Sequence, residues 1–123
     1  MQNKTLRRLL IQEYGKACWL KGIIQPGNPL TLHHIVPVRD GGKTIFENGA
    51  LITLERHEMF NVSELYFPDF AEEINYYMSI YHGNYPQIVD ERIDEYIKMM
   101  YEFRQEYLPK KLIRRRWLIW SKH

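Results

Sequence analysis

Apolar residues recur along the chain at spacings that change from helical to alternating and back. Leu6, Leu9, Leu10 and Tyr14 lie on one stripe and Gly15 follows, which predicts an amphipathic helix over residues 3–14, closed by a glycine and turning Lys4, Arg7 and Arg8 outward. Cys18 to Ile24 is a short apolar run, and Gln25-Pro26-Gly27-Asn28-Pro29 is turn punctuation, so a strand or loop feeding a turn is expected there. Leu30 to Val36 alternates as a strand does, Asp40-Gly41-Gly42 supplies residues that tolerate positive φ in a tight reversal, and Ala50 to Leu54 returns as an apolar segment. From Glu55 onward Met59 and Phe60 mark one side of a helix, and His57 and Asn61, four positions apart, share a face. Together these form a ββα unit.

Pro68-Asp69 then opens a helix through Tyr81, with Phe70, Ile74, Tyr77 and Met78 as its stripe and Gly83 as its stop. Pro86 starts another. Between Ile88 and Leu108 the apolar residues Val89, Ile93, Tyr96, Ile97, Met100, Phe103, Tyr107 and Leu108 cover more than one narrow face. That implies contacts on two sides, either as a central helix of its own domain or through a homodimer. Lys110 to Trp120 reads as strand or helix.

The order of elements is that of an α+β fold: a ββα core over about residues 15–66, preceded by a helix and followed by a helical extension over 67–108 and a basic tail over 109–123. At 123 residues one domain is expected. Aromatic residues make up 14% of the chain and no tract is of low complexity, which argues against disorder. The first residues lack the apolar core of a signal peptide and no run is long enough to span a bilayer, so a cytoplasmic protein without membrane contact is expected; the lone Cys18 agrees with a reducing compartment.

Net charge is +2, but the charges are segregated. Residues 1–54 carry seven Lys or Arg against three acids, residues 55–106 carry four against twelve, and residues 107–123 carry six against none. The basic ends would attract a phosphate backbone, while the acidic middle would face away from it or meet a basic partner. A solvated helical surface with a basic tail accounts for the same pattern.

The chemistry concentrates in His33-His34-Ile35-Val36-Pro37, followed by Asp40-Gly41-Gly42, Glu47-Asn48 and His57. His34 and Asn48 are fourteen positions apart, and Asn48 and His57 nine. In order and spacing this stretch, about Leu30 to Asn61, resembles the HNH endonuclease family, whose ββα-metal fold holds one divalent cation between a hairpin and a helix. Adjacent strand residues point to opposite sides, so His33 and His34 take different roles.

The resemblance implies His34 as general base, His33 and His57 as metal ligands, Asn61 at the place of a third ligand, through its carbonyl or a water, and Asn48 as the residue that fixes the loop and orients the base. An imidazole with an ordinary pKa near 6.5 suits proton abstraction at neutral pH. Many relatives carry a structural zinc on two Cys-x-x-Cys pairs. Here those positions are Cys18 and Lys21, then Thr53 and Arg56, so no four-cysteine zinc is expected. With two nitrogen ligands Mn²⁺, Ni²⁺ or Zn²⁺ suit the site, and Mg²⁺ fits with water and phosphate oxygens.

The same resemblance implies DNA as substrate, bound mainly through its phosphates by Arg39, Lys43, Lys110, Lys111, Arg114, Arg115 and Arg116, with Trp117 or Trp120 available for stacking. Small size suits a phage or mobile-element setting. A catalytically silent binding module of the same fold and a ribonuclease or toxin are the alternative functions.

Overall fold

A computed structural model describes residues 1–107. The expected contacts at Lys110, Lys111, Arg114, Arg115, Arg116, Trp117 and Trp120 lie outside the described residues.

The expected α+β class is found: α1 (Asn3–Tyr14), β1 (Leu30–His34), β2 (Gly49–Thr53), α2 (Leu54–Tyr66), α3 (Pro68–Tyr81) and α4 (Gln87–Tyr107). The local signals act as anticipated at several ends. Gly15 closes α1 with φ 84° and its amide returns to the Ile11 carbonyl, and Pro68 occupies the first turn of α3, where its missing N–H costs nothing.

β1 and β2 pair antiparallel, with Leu30 opposite Thr53, His33 opposite Ala50 and His34 opposite Gly49. Helices pack on both faces. α1 lies on one, where a side chain at Gly49 would run into Leu6, Leu10 and Leu32. On the other, the His33 ring meets Phe60 of α2 at 4.7 Å between centroids and Asn75 of α3 through a hydrogen bond. β2 is buried along its whole length.

The link between the strands is not the tight reversal expected at Asp40-Gly41-Gly42. β1 ends at His34 and β2 begins at Gly49, and the connection runs through two short 3₁₀ turns, Val38–Asp40 and Phe46–Asn48. Asp-Gly-Gly serves only the first of these: Gly41 takes the left-handed conformation that closes it, and the Gly42 amide bonds to the Pro37 carbonyl. The loop is held by the Asn48 side chain, which accepts from the Val36 amide at 2.8 Å and donates to the carbonyls of Val36 at 3.0 Å and Lys43 at 2.9 Å. The run from Cys18 to Ile24 is loop and turn, ending in a single bridge between Gln25 and Asn28.

The four positions Cys18, Lys21, Thr53 and Arg56, expected to lack a four-cysteine zinc, come together in a hydrogen-bonded cluster. The Thr53 amide donates to Cys18 Sγ at 3.3 Å, and Arg56 reaches the carbonyls of Leu20 at 2.8 Å and Lys21 at 3.4 Å. Arg56 also binds both carboxylate oxygens of Glu55, at 2.6 and 2.8 Å, and the Tyr101 hydroxyl of α4 at 3.0 Å. Glu55 is 1% and Arg56 5% exposed. Gly22 admits this arrangement because any side chain there would strike Thr53 and Arg56. A buried guanidinium, paired and hydrogen-bonded on several sides, thus joins α2, α4 and the segment between α1 and β1.

α4 buries Val89, Ile93, Tyr96, Met100 and Arg104 within the chain, while Ile97, Met99, Tyr101 and Phe103 pack partly against the same core. Its width is therefore that of a central helix, and these contacts lend no support to the homodimer expected as the alternative. No described helix is long and apolar enough to cross a membrane.

Because Glu55 has no water to fall back on, removing Arg56 strands its charge. Arg56→Met is expected to destabilise the protein by about 3–5 kcal/mol, and Glu55→Gln combined with Arg56→Met to recover most of that loss. Urea denaturation followed by circular dichroism at pH 7 checks both. A single variant as stable as wild type would refute this account of the pair.

Candidate functional site

Strand alternation separates the two adjacent histidines. Thr31 and His33 point toward α2, and the His34 ring lies on the side of α1, where its Nε2 meets Thr44 Oγ1 at 3.0 Å. Both still contribute to one cleft of about 190 Å³, which Pro37, Arg39, His57, Asn61 and Glu64 also line. The sequence-derived residues His33, His34, His57, Asn61 and Arg39 are thus brought together. Asn48 stands behind them as the clamp of the loop, 8% exposed. Lys43 is exposed on that loop, and its carbonyl is one of the Asn48 acceptors. Arg39 is half committed to acids already, at 3.4 Å from Glu64 and 4.0 Å from Asp40.

His33 and His57 meet edge to face, their ring centroids 5.3 Å apart. Each ring has one nitrogen assigned by a neighbour. The Thr31 hydroxyl has a single proton, which it donates to the Ile52 carbonyl at 2.8 Å. It therefore accepts from His57 Nδ1–H at 2.8 Å, and the lone pair of His57 is left on Nε2. The Asn75 amide oxygen can only accept, so His33 donates to it through Nε2–H at 2.8 Å and keeps its lone pair on Nδ1. Thr44 in turn directs its hydroxyl to Asn3 Oδ1 at 3.5 Å, which leaves its own lone pairs to His34 Nε2–H and the bare nitrogen of His34 on Nδ1.

Burial keeps the pair neutral. His33 is 6% exposed, and desolvation, assisted by repulsion from His57 and His34, lowers its pKa to about 4 against the opposing bond from Asn75. His57 is lowered too, chiefly by burial, with Glu58 acting against the shift. Two neutral imidazoles, each with a bare nitrogen, are a chemically suitable donor set for one divalent cation, with Asn61, water and phosphate oxygens to complete it. Among the described residues no three His, Cys, Asp or Glu side chains converge closely enough to hold an ion by themselves.

Sequence reading missed Thr31, Thr44, Glu64 and Asn75. Glu64 was within reach, since it stands seven positions after His57 and so repeats the face of His57 and Asn61. Asn75 gave no signal, being 42 positions from His33 on a helix outside the ββα unit.

The family model described as HNH endonuclease matches residues 16–55. The match contains His33, His34 and Asn48 and stops two residues before His57. This stretch is therefore similar to a nuclease family. No curated protein and no solved structure matches the chain.

The buried His33 gives a pH dependence of known sign. An unfolded chain protonates this imidazole near pH 6.5 and the folded protein only near 4, so the unfolded state binds the extra proton between those values. Folding stability is complete above pH 6.5 and falls as pH drops toward 4, by about 3 kcal/mol from His33 alone. In metal-free urea denaturation the stability advantage of wild type over His33→Gln should shrink across that window. An advantage constant from pH 7 to pH 4 would contradict the buried neutral ring.

Proposed function

We propose that this chain is a metal-dependent DNA endonuclease in which His34 is the general base and His33 and His57 grip one divalent cation. The observation that carries the reading is the meeting of two neutral imidazoles, their tautomers set by Thr31 and Asn75, at a cleft that His34 also lines. A cation held there supplies neutralisation of the charge that gathers on the phosphoryl and leaving oxygens.

The chain's own residues do the rest. His34 removes a proton from the water whose oxygen bonds to phosphorus while the bond from phosphorus to the leaving oxygen breaks, and the leaving oxygen takes its proton from solvent. Thr44 holds the ring so that the bare Nδ1 serves as base. Asn48 keeps the strand end and the following loop in register, so the base does not wander. Asn61 and Glu64 line the cleft from the same face of α2 as His57 and orient water at the ion or at the diester. Arg39 and Lys43 supply phosphate contacts at the mouth, with Glu64 restraining the Arg39 guanidinium.

The reading predicts that wild type nicks supercoiled plasmid with Mn²⁺ or Mg²⁺. His34→Ala should lower the rate roughly 10²–10⁴-fold while calorimetry shows metal binding retained, and His57→Ala should lose metal binding itself. No cleavage by wild type with either ion, or equal cleavage by His34→Ala, would overturn the assignment.

The Thr31 hydroxyl acts only through His57. Thr31→Val should weaken metal affinity roughly 10–100-fold and Thr31→Ser should restore it; calorimetric titration with Mn²⁺ decides between this and a purely structural threonine, for which the two variants would bind alike.

A further inference from the structure

Beyond the cleft, the geometry points to α1 as a second contact for nucleic acid: Lys4, Arg7 and Arg8 hold the phosphate backbone of the DNA strand that runs past His34. The inference rests on the endonuclease reading and adds to it a surface distinct from the loop and tail cations. Lys4, Thr5, Arg7 and Arg8 line an open groove of about 350 Å³ on the outer side of α1. Lys4 and Arg8 stand one helical turn apart, with Arg7 on the adjoining flank.

Several cations elsewhere are already compensated. Lys21 is held by Asp90 at 2.9 Å and Asp94 at 2.6 Å, Arg92 by Glu73 at 2.6 Å and Glu95 at 2.8 Å, and Arg56 by Glu55. Among the described residues Lys4, Arg7 and Arg8 have no carboxylate within ion-pair distance. The one acid of α1, Glu13, sits at its far end. Like charges so close repel one another, and a polyanion laid across them removes that repulsion and releases its counterions.

Position links the groove to the cleft. Asn3, the residue before Lys4, faces Thr44 Oγ1 at 3.5 Å, and the same oxygen bonds the His34 ring at 3.0 Å. The N-terminal nitrogen of Met1 adds a bond to the Thr44 carbonyl at 3.1 Å. The basic stripe therefore begins one residue from the contact that positions the proposed base, and the exposed Lys43 beside Thr44 continues it toward the cleft. Arg7 donates through Nε to the Leu30 carbonyl at 3.0 Å. Its guanidinium plane is thereby fixed against β1, with its terminal nitrogens available for a phosphate at little entropic cost.

The test is duplex DNA binding by fluorescence anisotropy across a salt series, with EDTA keeping the duplex intact. Wild type is compared with Lys4→Gln/Arg8→Gln and with Lys98→Gln, an exposed cation of α4 outside the proposed surface. Glutamine is a helix former close to Lys and Arg, and circular dichroism verifies that the helix remains. The double variant should bind more weakly at low salt, and its log–log salt slope should be shallower by about two. Lys98→Gln should match wild type. Equal slopes for wild type and the double variant overturn the α1 surface, as does an equal loss of slope in Lys98→Gln. Hydrolysis of bis(p-nitrophenyl) phosphate by wild type with Mn²⁺ reports on the endonuclease reading separately, because so small a diester does not reach α1. A wild type that cleaves it and yet binds duplex without salt dependence also overturns the inference.

Discussion

The Arg56 guanidinium, sealed from water with the Glu55 carboxylate, is the constraint on which the placement of the candidate site depends. Two ions that have lost their hydration stay charged in a protein only where geometry returns the hydrogen bonds of water, and here those bonds come from three separate parts of the chain. Since Arg56 and His57 are neighbours on the first turn of α2, fixing one fixes the direction of the other. The pair ties α2 to the segment between α1 and β1 and to α4. Through Tyr101 it makes α4 a support of the site rather than an appendage.

Around the imidazoles, polar neighbours with few options decide the chemistry. A threonine with one proton to give, an amide oxygen that can only accept and a second threonine beside His34 specify which nitrogen of each ring carries hydrogen. Desolvation then holds His33 and His57 neutral where an exposed histidine would be partly charged in mild acid. The arrangement is one of preorganisation: the rings meet the cleft neutral and with their lone pairs already selected.

Charge follows the same economy. Part of the acidic middle pairs with Lys21, Arg39, Arg56 and Arg92, but of these pairs only Glu55–Arg56 is buried and the others lie at the surface. Among the described residues Lys4, Arg7 and Arg8 gather unpaired positive charge on one helix, beside isolated unpaired lysines such as Lys16, Lys43 and Lys98, a grouping invisible in a net charge of +2.

Local rules made much of the chain legible. Apolar spacing with Gly15 and Pro68 as punctuation delimits α1 and α3, because capping and backbone freedom are settled within a few residues. The His-His…Asn…His order marks the strand, loop and helix that carry the candidate site, while the meeting of His33 with His57 is a contact between residues far apart in the chain. Three things were decided only by tertiary structure. The loop from Ile35 to Asn48 is long, not a tight turn, because Asn48 clamps it from the side; Asn75 reaches His33 from a separate helix; and Arg56 is buried against Glu55 and Tyr101. Each depends on contacts between residues far apart in the chain, whose energy appears only once burial has excluded water, and no local periodicity records that.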